Sequence, residues 1–376
     1  MADKMSSTWR RLYVDKLRAR IRLDFTLASG QSFRWRETAP GEWTNVLSSY
    51  VWTLKQDESD ILYRVYESVV VKNKRILKEV RKCPEHSVSC YSTEKLPQSD
   101  VYECILRDYF QLGVETESLY DEWRAKDPHF VKVSESMQGV RVLRQDPIET
   151  LFAFICSSNN NIPRISGMVA KLCHDYGENL GEIDGVSYYS FPDIKDLNGP
   201  RVEQHLRSIG FGYRAKFISQ CASYILEHYD SKWLETLRSV PYEEAHEVLC
   251  KLPGVGAKVA DCVCLMSLDK HDAVPVDTHV WQITAKHYMP QLARTKSLTA
   301  KVYKQIGDHY RDLFGKYAGW AQSVLFVADL KRFQDTQTTS LTNLNSKSAK
   351  VYGIRYAVNK QLQASRQKEK EEPDIG

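Results

Sequence analysis

Lys258 and Asp277, nineteen positions apart, are the residues whose types and settings best fit covalent chemistry. A nucleophilic amine must be neutral, and a free lysine is neutral only about 0.1% of the time near pH 7.4. Lys258 falls in the first turn of what reads as a helix, an end unfavourable to a cation. Its neighbours Val255, Ala257, Val259 and Cys262 are apolar or small. Disfavouring the charge by about 4 kcal/mol would give a competent nucleophile, which lies within the reach of desolvation. A solvated surface lysine is the plainer alternative. Asp277, in Pro275-Val276-Asp277-Thr278-His279, is placed to cap the next helix. The same carboxylate could stabilise a sugar cation as a glycosidic bond breaks. Its charge also favours protonated Lys258, so burial or the helix dipole has to outweigh it. Asp261, three residues after Lys258, is a rival carboxylate, expected in a surface ion pair.

These groups need a scaffold, and Val240–Leu268 supplies one. Pro241 suits a first helical turn, Glu243 and Glu244 suit the positive end of a helix, and Ala245, Val248, Leu249 and Leu252 make one apolar face. Leu252-Pro253-Gly254-Val255-Gly256 then breaks the helix. A second helix follows, with Val259, Cys262, Val263 and Met266 on its buried side. The turn and the second helix's N-terminus present backbone N–H groups that can bind a phosphate without reading sequence. A plain helical hairpin with a glycine cap fits the same residues.

Around this hairpin the chain divides into three parts. Gln31–Trp35, Trp43–Leu47, Tyr50–Leu54 and Ile61–Tyr66 read as strands of an antiparallel meander. Cys83–Gln98 reads as a surface loop and Val101–Leu112 as a helix. From about residue 145 the period is helical. Asp146-Pro147-Ile148-Glu149 offers a cap, a first-turn proline and a capping-box glutamate, and Ile148, Leu151, Phe152 and Ile155 follow on one face. The expected fold is α+β, with a β-rich N-terminal domain over 1–144, a helical domain over 145–333 and a flexible tail over 334–376. Within that tail, Tyr352–Lys370 could form a charged helix.

Composition sets bounds. The 376 residues are long enough for two packed domains, and no apolar run approaches the roughly 18–20 residues that cross a bilayer. The nine cysteines, Cys83, Cys90, Cys104, Cys156, Cys173, Cys221, Cys250, Cys262 and Cys264, show neither paired zinc spacing nor a disulfide framework. That usage predicts a reducing compartment. The net charge of +4 permits nucleic-acid binding through a local basic surface without demonstrating it. Arg10, Arg11, Arg18, Arg20 and Arg22, with Asp15 and Asp24 among them, read as the charged start of a fold more readily than as a transit peptide, with mitochondrial import the alternative.

The hairpin, Lys258 and Pro275-Val276-Asp277 resemble the signature of the helix-hairpin-helix DNA glycosylases, and within them the eukaryotic 8-oxoguanine DNA glycosylase/AP lyases. The likeness runs from about Ile21 to Leu330. It includes Ser29-Gly30-Gln31-Ser32-Phe33-Arg34-Trp35, Cys156-Ser157-Ser158-Asn159-Asn160-Asn161, Gly210-Phe211-Gly212-Tyr213-Arg214-Ala215 and Tyr317-Ala318-Gly319-Trp320-Ala321-Gln322. The resemblance implies that Lys258 attacks C1′ of the damaged nucleotide to give a Schiff base, with Asp277 essential to the chemistry. It implies that the Gly30 carbonyl meets N7–H of the oxidised base, that Phe326 and Cys262 sandwich that base, and that Gln322 addresses its Watson–Crick edge. Asn159, Arg164 and Arg214 would contact the orphaned cytosine, Tyr213 would wedge into the stack, Gly254 and Gly256 would face DNA, and His279 would meet a phosphate.

The resemblance further implies a bifunctional glycosylase and AP lyase acting on double-stranded DNA that contains oxidised guanine. It implies no metal, no cofactor and no membrane partner, a monomer, and a nuclear location with the mitochondrion as a second. An Fe–S cluster is not expected, since no closely spaced four-cysteine set follows Asp277. Pro163 and Thr278 depart from the family pattern, and Thr278 could alter the hydrogen bonding of Asp277. The rival readings are a related glycosylase for another lesion and a non-catalytic DNA-binding module.

Overall fold

A computed structural model describes residues 8–15, 17–57, 60–66, 98–230 and 232–333. Residues up to Val327 belong to one compact unit, and a second begins at Ala328.

The first part is an antiparallel sheet of β1 (Arg10–Leu12), β2 (Arg36–Ala39), β3 (Glu42–Leu47), β4 (Tyr50–Asp57) and β5 (Asp60–Tyr66), in the order β1-β5-β4-β3-β2. Strand β5 alternates strictly, with Ile61, Tyr63 and Val65 buried, because side chains on successive residues point to opposite faces. β3 and β4 are joined through Ser48 and Ser49, whose φ values of 49° and 62° give the twist a two-residue hairpin needs. Helix α1 (Leu23–Ala28) falls between β1 and β2 in the chain. One face packs Trp52, Leu54 and Tyr63 against Tyr102, Leu106 and Phe110, in and just beyond helix α2 (Gln98–Tyr109). A second cluster on the sheet joins Val46 and Val51 to Leu180 of the hairpin β6 (Asn179–Ile183) and β7 (Val186–Tyr189).

The helices α3 (Thr116–Lys126), α4 (Pro128–Ser134), α5 (Pro147–Ile155) and α6 (Ile162–Tyr176) follow the sheet. Then come α7 (Pro200–Ser208), α8 (Arg214–His228), α9 (Trp233–Thr236), α10 (Tyr242–Cys250), α11 (Ala257–Ser267), α12 (Thr278–His287), α13 (Ala300–Phe314) and α14 (Ala318–Asp329). Helix α11 packs chiefly on α5 and α10, and its face of Val259, Cys262, Val263 and Met266 is buried as its period predicts.

Arg141 is fully buried, with its guanidinium 5.5 Å from the centre of the Trp320 ring and every donor aimed at an oxygen. Nε donates to the carbonyl of Phe110, one terminal nitrogen to Arg20 O and Thr116 Oγ1, and the other to Gln111 O and Val114 O.

Several sequence expectations shift. Gln31–Trp35 is not a strand, and the ladder starts at Arg36. Gln31 is bonded elsewhere: its Nε2 donates to Arg141 O at 2.8 Å, its Oε1 accepts from Leu143 N at 3.0 Å, and Gln145 Nε2 donates to Gln31 O at 2.9 Å. Its side chain and carbonyl are thus paired outside the ladder. The helix expected over Val101–Leu112 runs over Gln98–Tyr109 and is followed by Gln111 at a φ of 50°. Asp146 caps α5 by accepting from Glu149 N at 2.8 Å, but Glu149 does not complete a capping box. Its carboxylate instead accepts from Arg34 at 2.8 Å, because a partly buried guanidinium offers it a charge-assisted bond. Arg34 also donates to Tyr189 O, so this pair ties the 29–35 loop to α5 and to the β6–β7 hairpin. The expected loop over Cys83–Gln98, apart from Gln98 itself, lies outside the described residues, as do the tail from residue 334 and the helix over Tyr352–Lys370.

Candidate active site

The hairpin turn occupies Lys251–Gly256 between α10 and α11. Val255 is buried and props the turn, and its N–H donates to Leu252 O. Gly254 has a φ of +81°, and a Cβ there would lie 2.5 Å from Phe217 Cβ, so this position requires glycine. Gly256, the residue before α11, is extended and exposed, and nothing stands within 4 Å of where a Cβ would go. The two glycines therefore serve different ends: the first makes the turn, and the second leaves the N-terminus of α11 bare.

Lys258 is the second residue of α11 and is half-buried. Its Nζ donates to Ser157 Oγ at 3.3 Å and lies 4.8 Å from the centre of the Phe154 ring. Ser157 spends its own proton on Phe154 O at 2.7 Å, so its oxygen is left to accept from the amine. Sequence reasoning gave Ser157 and Phe154 no role. Their signal is an i, i+3 pair at the end of α5, the helix on which α11 packs. Phe154 in turn meets Phe33 edge-on, with ring centres 5.3 Å apart, which connects the amine to the loop of Gly30. Gly30 has a φ of +83°, and a Cβ there would approach Ile162 Cδ1 to 2.9 Å.

Asp277 caps α12, accepting from Val280 N at 2.9 Å. Thr278 is exposed at the next position, and the cap is made without it. Cys262, one turn beyond Lys258, is buried. Burial pushes its thiol up to about 11; Lys258 pulls the other way, while Asp261 and Asp277 add to the rise. The Cys262 thiol thus feels both Lys258 and Asp277.

Asp261 corrects an expectation. It is not in a surface ion pair but is 1% exposed, on the buried side of α11. Tyr242 on α10 donates to one carboxylate oxygen at 2.7 Å and Tyr303 on α13 to the other at 2.5 Å, with His246 Nε2 3.7 Å away. Burial raises its pKa, and His246 and the two hydroxyls oppose the rise. Three residues from Lys258, the chain has rotated to the protein interior, where two hydroxyl donors satisfy a carboxylate that solvent cannot.

Of the other residues singled out from sequence, Gln322 and Phe326 share α14. Gln322 is 5% exposed, and its amide makes no hydrogen bond among the described residues. Phe326 is half-buried, and the ring of His279 stands edge-on to it at 6.1 Å. A second group forms where α5 gives way to α6. Tyr213 OH donates to Ser158 O at 3.1 Å, and Arg214 donates to Ser158 O and to Asn159 O. Arg214 is 3% exposed, and its Nε has no hydrogen-bond partner. Tyr213 remains 48% exposed, and Asn159 holds a φ of 47°. Arg164 is exposed in the first turn of α6, with no side-chain hydrogen bond or ion pair among the described residues.

The chain is similar to known proteins over most of its length. Residues 13–151 match the model of the 8-oxoguanine DNA glycosylase N-terminal domain, and residues 152–308 match that of the HhH-GPD superfamily base excision DNA repair proteins. The N-glycosylase/DNA lyase OGG1 of Arabidopsis thaliana is 37% identical over 82% of this chain and 78% of its own length. An N-glycosylase/DNA lyase of Saccharomyces cerevisiae is 35% identical over 89% and 90%. The crystal structure of Clostridium acetobutylicum 8-oxoguanine glycosylase/lyase with double-stranded DNA containing cytosine opposite 8-oxoG superposes with a TM-score of 0.64. It is 27% identical and is matched over 82% of this chain and 91% of its own. Among the described residues no helix is long and apolar enough to cross a membrane. With an antiparallel sheet preceding a helical hairpin that presents a lysine one turn from a buried cysteine, the chain belongs to the eukaryotic 8-oxoguanine DNA glycosylase family, the N-glycosylase/DNA lyases.

Proposed function

We propose that the protein removes 8-oxoguanine opposite cytosine from double-stranded DNA in base excision repair and then cleaves the abasic strand. The observation that carries the reading is the half-buried Lys258 amine, held by Ser157 at the N-terminus of the hairpin's second helix. The neutral amine attacks C1′ of the extruded nucleotide. The N–C1′ bond forms, the bond from C1′ to the base breaks, and the base leaves with a proton. Loss of the amine proton and opening of the sugar ring give the Schiff base, and removal of a C2′ proton expels the 3′ phosphate. Asp277 stabilises the cationic sugar along this path.

The remaining residues take recognition roles. Gly30 addresses the N7–H that distinguishes the oxidised base. Cys262 and Phe326 hold its faces, and the unengaged Gln322 amide meets its polar edge. Extruding a base costs a few kcal/mol, offset by groups that replace its partners. Asn159, Arg164 and Arg214 read the orphaned cytosine, and the buried Nε of Arg214 has no partner within the protein. Exposed Tyr213 fills the stack, and His279, the turn made by Gly254 and the bare helix start at Gly256 hold phosphates. The β-rich N-terminal domain, 1–144, contributes to the lesion pocket, and the helical domain, 145–333, carries the chemistry. An amine and a carboxylate supply the chemistry without a cofactor, and we place the protein in the nucleus.

Borohydride trapping tests the reading. Wild type incubated with an 8-oxoguanine–cytosine duplex is expected to give a covalent protein–DNA adduct that Lys258→Gln abolishes. An adduct that persists in the variant would remove Lys258 from the mechanism.

A further inference from the structure

The proposed chemistry needs Lys258 and Asp277 at a fixed separation, yet they stand on different helices joined by the 268–276 segment. Lys258 is on α11 and Asp277 is the cap of α12. One set of bonds spans the gap from the same helix as the amine. Asp261 accepts from the Tyr303 hydroxyl, and that hydroxyl accepts from the Val276 N–H at 3.3 Å, one residue before Asp277. Burial and the charge of Asp261 push the Tyr303 hydroxyl well above its ordinary pKa, so it stays a donor to the carboxylate. With its proton committed to Asp261, its oxygen can only accept, and Val276 supplies the donor.

We infer that Tyr303 is a positioning residue, a strut from α11 to the backbone at Val276 that sets the Asp277 carboxylate against the Lys258 amine; this rests on the roles proposed above for those two groups. Tyr242 separates this from a merely structural role. It donates to the other oxygen of the same buried Asp261, from α10, so it shares in the support of the carboxylate. It makes no bond to the 275–277 segment among the described residues. Removing either hydroxyl deprives Asp261 of one donor, but only the loss at Tyr303 also releases Val276.

The experiment compares Tyr303→Phe with Tyr242→Phe in the full chain. It measures the single-turnover rate of 8-oxoguanine excision, the affinity for a duplex carrying a tetrahydrofuran abasic analogue, and the denaturation midpoint. Tyr303→Phe is expected to slow excision at least tenfold with affinity within twofold of wild type, while Tyr242→Phe excises within about threefold of wild type. Excision by Tyr303→Phe within twofold of wild type would overturn the inference, and so would equal slowing in both variants. If Tyr303→Phe does not fold, Asp261→Asn, which keeps the side-chain volume and weakens the strut at its other end, carries the same expectation. Wild type is trapped with borohydride in parallel. Trapping by wild type with a normal rate in Tyr303→Phe sinks the strut alone, whereas no adduct from wild type sinks the Lys258 reading and this inference with it.

Discussion

The two glycines of the hairpin should respond unequally to the same added methyl group. At Gly254, alanine would have to hold a φ of +81°, which costs about 1 kcal/mol for a residue with a Cβ. The Cβ would also lie 2.5 Å from Phe217 Cβ and 2.7 Å from its Cγ. These are the root atoms of the Phe217 side chain, so no rotation relieves the clash, and overpacking of this kind costs about 1–3 kcal/mol. Gly254→Ala should therefore destabilise the fold by about 2–4 kcal/mol. At Gly256 the backbone is extended and the Cβ meets nothing within 4 Å, so only the weaker capping preference of alanine remains, about 1 kcal/mol or less. Urea titration of both variants separates the cases as a shift in midpoint at constant slope. Duplex binding by fluorescence anisotropy adds a second axis. Gly256→Ala should weaken binding severalfold at nearly native stability, because the methyl group stands where a phosphate would approach the N–H groups of α11. If Gly256→Ala destabilised the fold as much as Gly254→Ala, the division of labour between the glycines would be refuted.

Three further outcomes follow from charged and buried groups. Burial alone would raise the Asp269 pKa, but Arg144, donating at 2.7 and 2.8 Å, and Arg238 overcome it and hold the carboxylate below its ordinary value. A depressed carboxylate contributes stability that is present above its unfolded pKa, near 3.9, and is lost as pH falls through the lower folded value. Asp269→Asn should therefore lower the melting temperature at pH 7 and flatten its fall below pH 4, and a melting curve equally steep in acid would count against the ion pair. Arg34→Met leaves Glu149 without its partner, at side-chain exposures of 9% and 17%, and should cost about 3 kcal/mol in urea titration. A cost below about 1 kcal/mol would show that the pair does not hold the 29–35 loop. The Cys262 thiol, pushed up to about 11, should resist iodoacetamide at pH 7.5 in the folded protein and react on unfolding, as read by peptide mass spectrometry. Rapid labelling of native protein would contradict its burial.

The helical half was largely legible because its signals are local. The apolar faces of the hairpin helices, the cap at Asp146 and the cap at Asp277 all lie within one or two turns of the residues that reveal them. What sequence reasoning missed depends on distant partners. Gln31–Trp35 has the composition of a strand, but it is held by residues more than 100 positions away, at Arg141, Leu143 and Gln145. Glu149 sits where a capping box would use it, yet Arg34, 115 positions away, takes it. Asp261 looked exposed because its spacing from Lys258 suits a surface pair; nothing local announces Tyr303, 42 positions on, as its partner. Ser157 belongs to the Cys156–Asn161 motif, but its meeting with Lys258 across 101 positions depends on the packing of two helices.

Arg141 carries a consequence of its own. The guanidinium has five N–H groups, and five oxygens receive them: four main-chain carbonyls and the Thr116 hydroxyl. Three of those carbonyls belong to 110–114, a stretch with no ladder or helix to satisfy them, so one side chain does there what regular secondary structure does elsewhere. Lysine keeps the charge but has three hydrogens on a single point, and cannot reach five oxygens spread around a planar fork. The site therefore discriminates by shape rather than by charge, and it makes the segment around Arg20 inseparable from a turn some ninety residues further along the chain.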